Sequence, residues 1–234
     1  LVLNANEASG ETMNINLSGG NKEGFALTFE SVASTSLTHL TIDGAKLNGA
    51  LDLSFGGDQQ VLNVKNLMVK GSAAEVDQDF SALSGLITGT AEDGFTVTLE
   101  GGAGNDTFEA STAIDSFTGA KGENVFNFTA GNSLVQLADG KIAATDTITD
   151  FAKDDVLTGV ANLSISTATG SVPEGVSLEE LATTLDSGSV FGLGGDSYVL
   201  VTADADLANV ELVKLAGVNL DKLAVNDEGA LAYA

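Results

Sequence analysis

The sequence predicts an all-β fold. The expected form is a parallel β-solenoid, or calcium β-roll, of short Gly/Thr/Asn-rich strands, closed by a small β-rich C-terminal cap with one short helix. Three observations predict it. A glycine-rich nonapeptide recurs in register near the middle of the chain. Before it, apolar and polar residues alternate in short runs. Turn formers separate those runs, with 28 glycines against a single proline in 234 residues.

Alternation places strands at 13–17, 25–29, 37–42, 51–55, 61–64 and 95–99. Turns are expected at 18–21, Asp43-Gly44, Asn48-Gly49 and Gly56-Gly57-Asp58. The stretch 75–86 reads as a loop or a short helix. Written in nines from Gly101, the first unit is Gly-Gly-Ala-Gly-Asn-Asp-Thr-Phe-Glu. It fits Gly-Gly-x-Gly-x-Asp-x-apolar-x at every defined place. The second unit loses its glycines but keeps Asp115 at place six and Phe117 at place eight. The third keeps Gly119 and Gly122, with Asn124 at place six and Phe126 at place eight. A fourth, 128–136, keeps Gly131, Ser133 and Val135, and one step upstream Val97 and Leu99 fall on places six and eight. Two units make one coil, so Phe108 is expected to stack on Phe126 with Phe117 facing them.

Beyond the repeat, Asp146, Asp150, Asp154 and Asp155 either cap the roll and bind an ion or form a solvated acidic loop; both readings stand. Ser177-Leu178-Glu179-Glu180 is a capping box that opens a helix to about Leu185. Gly194-Gly195-Asp196 reads as a hairpin turn, and 195–201 with 210–215 as a closing pair of strands. The chain divides by this reading into a strand-rich solenoid segment (1–98), a β-roll (99–160) and a C-terminal cap (161–234).

The repeat carries the chemistry. Calcium takes six to eight oxygen ligands, backbone carbonyls among them. Glycine lets a turn aim its carbonyls at a shared ion. The spacing puts Asp106 and Asn124 beside one groove and Asp115 on the opposite one, with Ser133 as its weak partner. One or two ions are expected. Composition narrows the remaining classes. All nine basic residues are lysines against 33 acids, a net charge of −24, which argues against nucleic acid and anionic membranes. There is no cysteine and one histidine, His39, read as an exposed or hydrogen-bonded strand residue, so nucleophilic catalysis is poorly provided for and the chain is read as no enzyme. No apolar run is long enough for a transmembrane segment. A start at Leu1 suggests part of a longer or processed polypeptide.

Residues 101–109 resemble the nonapeptide of the RTX (repeats-in-toxin) proteins. Residues 145–157 resemble the Asp-x-Ile-x-Asp-Phe stretch after such repeats, and 79–102 the Thr/Gly-rich segments of RTX-type bacterial surface-layer proteins. The resemblance implies Ca2+-dependent folding outside the cell and export by type I secretion through an uncleaved C-terminal signal. It also implies self-association into a surface lattice (S-layer). Residue by residue, Gly101, Gly102, Gly104 and Asp106 match the calcium turn, as do Gly119 and Gly122, while Asn124 departs from Asp. Asp115 and Asp150 complete the expected metal set. Two other readings remain: a non-catalytic secretion and folding domain of a larger RTX enzyme or toxin, and an adhesin module for a cell-surface glycan.

Overall fold

A computed structural model describes residues 2–4, 12–31, 37–55, 64–84, 87, 89–133, 135–138, 141–165, 183–203 and 210–234. The expected solenoid is present, with about five turns. After β1 (Val2–Asn4), each turn but the one begun by β6 carries one strand of each of two facing layers. β2 (Thr12–Gly19) leads to β3 (Phe25–Ser31), and β4 (His39–Leu47) to β5 (Leu51–Phe55). β6 (Asn66–Lys70) leads to an extended stretch at 78–80 and the one-turn helix α1 (Ser81–Ser84). β7 (Thr96–Glu100) leads to β8 (Thr107–Glu109), and β9 (Ile114–Thr118) to β10 (Val125–Asn127). A hairpin of β11 (Gln136–Ala138) and β12 (Lys141–Ala144) then departs from the coil. The path resumes with β13 (Asp146–Ile148) and β14 (Val156–Thr158).

The end of the chain turns back on this stack. β15 (Ser164–Ile165), β16 (Ser189–Leu193), β17 (Asp196–Thr202) and β18 (Glu211–Leu215) extend the first layer to ten strands, ordered β15-β16-β17-β18-β13-β9-β7-β6-β4-β2. β19 (Leu223–Val225) and β20 (Leu231–Tyr233) close the second layer by antiparallel pairing with β14. That layer is split into β1-β3-β5 and β19-β20-β14-β10-β8. Residues 78–80 stand between the two parts. They pair with β8 through Asp79 and Thr107, and toward β5 the Gln78 side chain reaches, accepting from the Leu51 amide at 2.9 Å.

Register explains the sequence pattern. Ile15, Ile42, Val69, Leu99, Phe117, Ile148 and Leu215 form one column inside the first layer. The alternation of each strand turns these residues inward and the Thr, Asn and Ser residues between them outward. The facing column is Phe80, Phe108, Phe126 and Leu157, each at most 1% exposed. Phe108 lies 5.0 Å from Phe126 at 9° between planes and 5.3 Å from Phe117. Such offset stacking adds roughly 0.5–1.5 kcal/mol per pair beyond the area buried.

Several expectations are corrected. The third first-layer strand is β6 at Asn66–Lys70, and the strand expected at 61–64 lies, but for Val64, outside the described residues. Asp43-Gly44 lies within β4 and is no turn. The nonapeptide at 128–136 makes no coil of its own; the coil after β10 is built at β13 instead. Gly194-Gly195 is the hairpin turn between β16 and β17, both glycines at positive φ. Gly56-Gly57-Asp58 and the capping box at 177–180 lie outside the described residues. Among the described residues no helix is long and apolar enough to cross a membrane.

Candidate functional site

Place six of the nonapeptide is a polar position inside an apolar stack, and its bonds explain why it is polar. The Asp106 carboxylate accepts from the Gly102 amide at 2.6 Å, closing its own turn. Its other oxygen accepts from the Gln78 amide of the preceding coil at 2.8 Å. The Asp106 amide in turn donates to the Asn124 side-chain oxygen at 3.0 Å, across a winding of 18 residues. The Asn124 amide and side-chain NH2 both donate to Asp155, each at 2.9 Å, and Asp155 closes its own turn through the Ala152 amide. Gln78, Asp106, Asn124 and Asp155 thus form one buried polar ladder along the second layer. Every rung satisfies backbone donors that tight turns would otherwise strand.

A second ladder lies on the opposite side. Asp115 accepts from the Ser111 amide at 2.6 Å and the Ser111 hydroxyl at 2.9 Å. The Asp115 amide donates to Asp146 at 2.8 Å. The same closure, from the amide of place two to the carboxylate of place six, therefore survives in the unit that lost its glycines. Asp146 is fully buried, with the buried Ser133 hydroxyl near its carboxylate, where it favours the charged form. Glu211, also buried, accepts from the Gly131 amide and the Thr202 hydroxyl.

Glycine is required at the first ladder by space. A Cβ on Gly101 would overlap the Asp106 carboxylate, and one on Gly102 would overlap the Ser72 carbonyl of the preceding coil. Gly104 meets the Val76 backbone in the same way, and Gly119 meets the Asn124 side chain. Asp150 accepts from the Gly119 and Ala120 amides at 2.9 and 2.8 Å, so it docks on the third unit's turn. Gly101, Gly102, Gly104, Asp106, Gly119, Asn124 and Asp150 therefore gather along one edge of the solenoid, and Asp115 stands apart with Asp146. Of the acidic run, Asp146 and Asp155 are buried and Asp154 is exposed, so a solvated loop describes only part of it.

Burial governs the electrostatics. It pushes Asp106 up to about 6, against the amide bonds from Gly102 and Gln78. It pushes Asp115 up to about 7, against both Ser111 bonds. Asp146 is raised well above the usual range by burial, then by the charge of Asp115. Asp155 is raised by burial too, opposed by its Asn124 and Ala152 bonds. Each group would welcome a positive partner.

The side-chain oxygens along the first ladder come from two carboxylates, Asp106 and Asp155, and two amides, Gln78 and Asn124, beside the glycine turns. That chemistry suits a hard cation such as calcium. Both Asp106 oxygens are already engaged by amides, and among the described residues no three acidic, histidine or cysteine side chains converge as a metal cage. Gln78 and Ser111 were not singled out from the sequence. Gln78 carried a signal, since Gln78-x-Phe80 repeats the polar-x-aromatic spacing of Asp106-x-Phe108. His39 is exposed on β4, with its ring between Thr38 and Asn66. The chain matches no family model and no curated protein.

Proposed function

We propose that the chain is a non-catalytic structural β-roll of the RTX type, belonging to a bacterial surface layer and rigidified by calcium outside the cell. The observation that carries this reading is the 18-residue winding from Asp106 to Asn124. It is a full coil built from two nonapeptides, with glycine turns stacked on one edge and phenylalanines stacked inside. The carbonyls of the Gly101–Gly104 and Gly119–Gly122 turns, with Asp106 and Asn124, would hold the ion. A net charge of −24 supports the same reading, because a compact acidic chain repels itself until cations offset it. A weak site would be empty in a calcium-poor cytosol and fill outside, so binding would couple folding to export.

The test is thermal unfolding of the whole chain in chelator and in 10 mM calcium, with magnesium at the same ionic strength as control. With a dissociation constant of about 10⁻⁴–10⁻³ M, that calcium adds about 1.4–2.7 kcal/mol. The midpoint then rises by several degrees in calcium and not in magnesium. Identical midpoints in chelator and calcium would refute the reading.

A further inference from the structure

The excursion that carries β11 and β12 covers the far face of the cap strands. Phe191, Leu200 and Leu212 of β16–β18 form an apolar cluster there, and Val135 and Ile142 pack against it. Where β12 returns to β13, this cover stands off the sheet and leaves a cavity of about 350 Å³. Residues 142–144 form its apolar wall, and Thr147, Tyr198 and Lys214 form its floor. The three floor residues are cross-strand neighbours in one row, Tyr198 paired with Lys214 and Lys214 with Thr147. The volume stands at the lower end of small-molecule sites, which run from about 300 to 1,000 Å³.

The floor is fixed before any ligand arrives. The Tyr198 ring stacks on Phe191 at 5.7 Å and 15° between planes. The Lys214 ammonium lies 2.7 Å from one Asp196 oxygen, and the other Asp196 oxygen accepts from the Gly217 amide at 2.7 Å. The Tyr198 hydroxyl lies beside the same ammonium. Such preorganisation lowers the ordering cost of binding. The charges say what fits. Lys214 attracts an anion, but Asp196 beside it and a net charge of −24 oppose one. A cation meets Lys214 first. A neutral ligand meets neither objection, and the floor offers it N–H and O–H donors and hydroxyl acceptors, while the wall offers aliphatic carbon. A sugar ring presents the counterpart, with hydroxyls around its rim and C–H groups on its face.

We propose that this cavity binds one neutral sugar unit, Lys214 and Tyr198 holding its hydroxyls and residues 142–144 covering its C–H face. The inference goes beyond the surface-layer reading, needs no calcium at the site and gives a cell-surface glycan a place to bind.

Tyrosine fluorescence of the whole chain tests it. The chain has two tyrosines and no tryptophan, so in Y233F the emission comes from Tyr198 alone. That variant is titrated in 10 mM calcium with the methyl glycosides of glucose, galactose, mannose and N-acetylglucosamine. Methyl glucuronide and methyl glucosaminide serve as the anionic and cationic counterparts. The expected result is a saturable change with at least one neutral glycoside, at a dissociation constant on the order of 1 mM, as suits a ligand of about a dozen heavy atoms. Both charged sugars bind about tenfold more weakly, and K214M weakens the neutral one by about tenfold or more. A143F fills the cavity from an exposed position and abolishes the change, with circular dichroism checking that the fold is retained. No saturable change with any neutral glycoside overturns the proposal. A change that survives both K214M and A143F overturns it too, as does tighter binding of either charged sugar. None of these outcomes depends on the unfolding midpoints that test the calcium reading.

Discussion

At place six a single side chain can do two jobs: Asp106 and Asp155 each close their own turn and receive the amide of the coil before. Asp115 closes its own turn, while Gln78 and Asn124 receive the preceding coil's amide on a neutral side-chain oxygen. Charge is therefore not needed to receive that amide, and at Asp115 it costs stability. The Asp115 carboxyl sits at about 7 in the folded chain, against about 3.9 for a free aspartate. Between those values the unfolded chain binds fewer protons than the folded one, so stability is greatest near pH 4 and is lost as pH rises toward and through 7. Asp115→Asn removes this dependence. Urea unfolding should show the variant gaining on the parent by on the order of 2 kcal/mol from pH 5 to pH 8. A constant difference across that range would contradict it. Asp106, Asn124 and the three phenylalanines were legible because a nine-residue step marks them. Ser111 was not, because its role depends on a turn closing over Asp115 without glycine.

Among the elements, the turns set the length of each coil and the strands do not. The winding from Asn66 to Thr96 takes 30 residues and includes α1, whereas the glycine-rich one takes 18. Among the described residues three non-glycine residues stand in the left-handed region, Asp154, Asn162 and Ala120, and Ala120 at φ 66° lacks the short polar side chain that eases the other two. Ala120→Gly should raise the urea midpoint with an unchanged slope, a gain of about 0.5–1 kcal/mol. Most strands were readable from alternation, but β6 was not singled out. The run at 66–70 follows that at 61–64 with no glycine between them. Pairing of Asn66 with His39, a full winding of 27 residues away, is what builds β6 into the first layer. The departure of β11 and β12 was equally hidden. Asp146 and Asp155 do repeat the nine-residue step, and that spacing was the available clue to the final coil.

For the whole molecule, acidity and packing oppose each other. The ten-strand layer carries a continuous apolar column from Ile15 to Leu215, and β16–β18 bury a second cluster of Phe191, Leu200, Val210 and Leu212 on their far side. Against this stands a net charge of −24, with the half-exposed Lys70–Glu100 pair at 2.8 Å offering little by itself. Screening should therefore help: in chelator, raising sodium chloride from 0.01 to 0.15 M shortens the Debye length from about 30 to 8 Å and raises the melting midpoint. A midpoint that falls or stays level would mean that repulsion does not limit this fold. The antiparallel cap was visible as two closing strands, but its docking on β13 was not, since that contact joins residues far apart in the chain. An excursion of 18 residues and one of 31 both advance the stack by one rung. Length at a corner is thus decoupled from position along the axis, and peptide spliced into such a corner lengthens the rim without displacing any neighbouring rung.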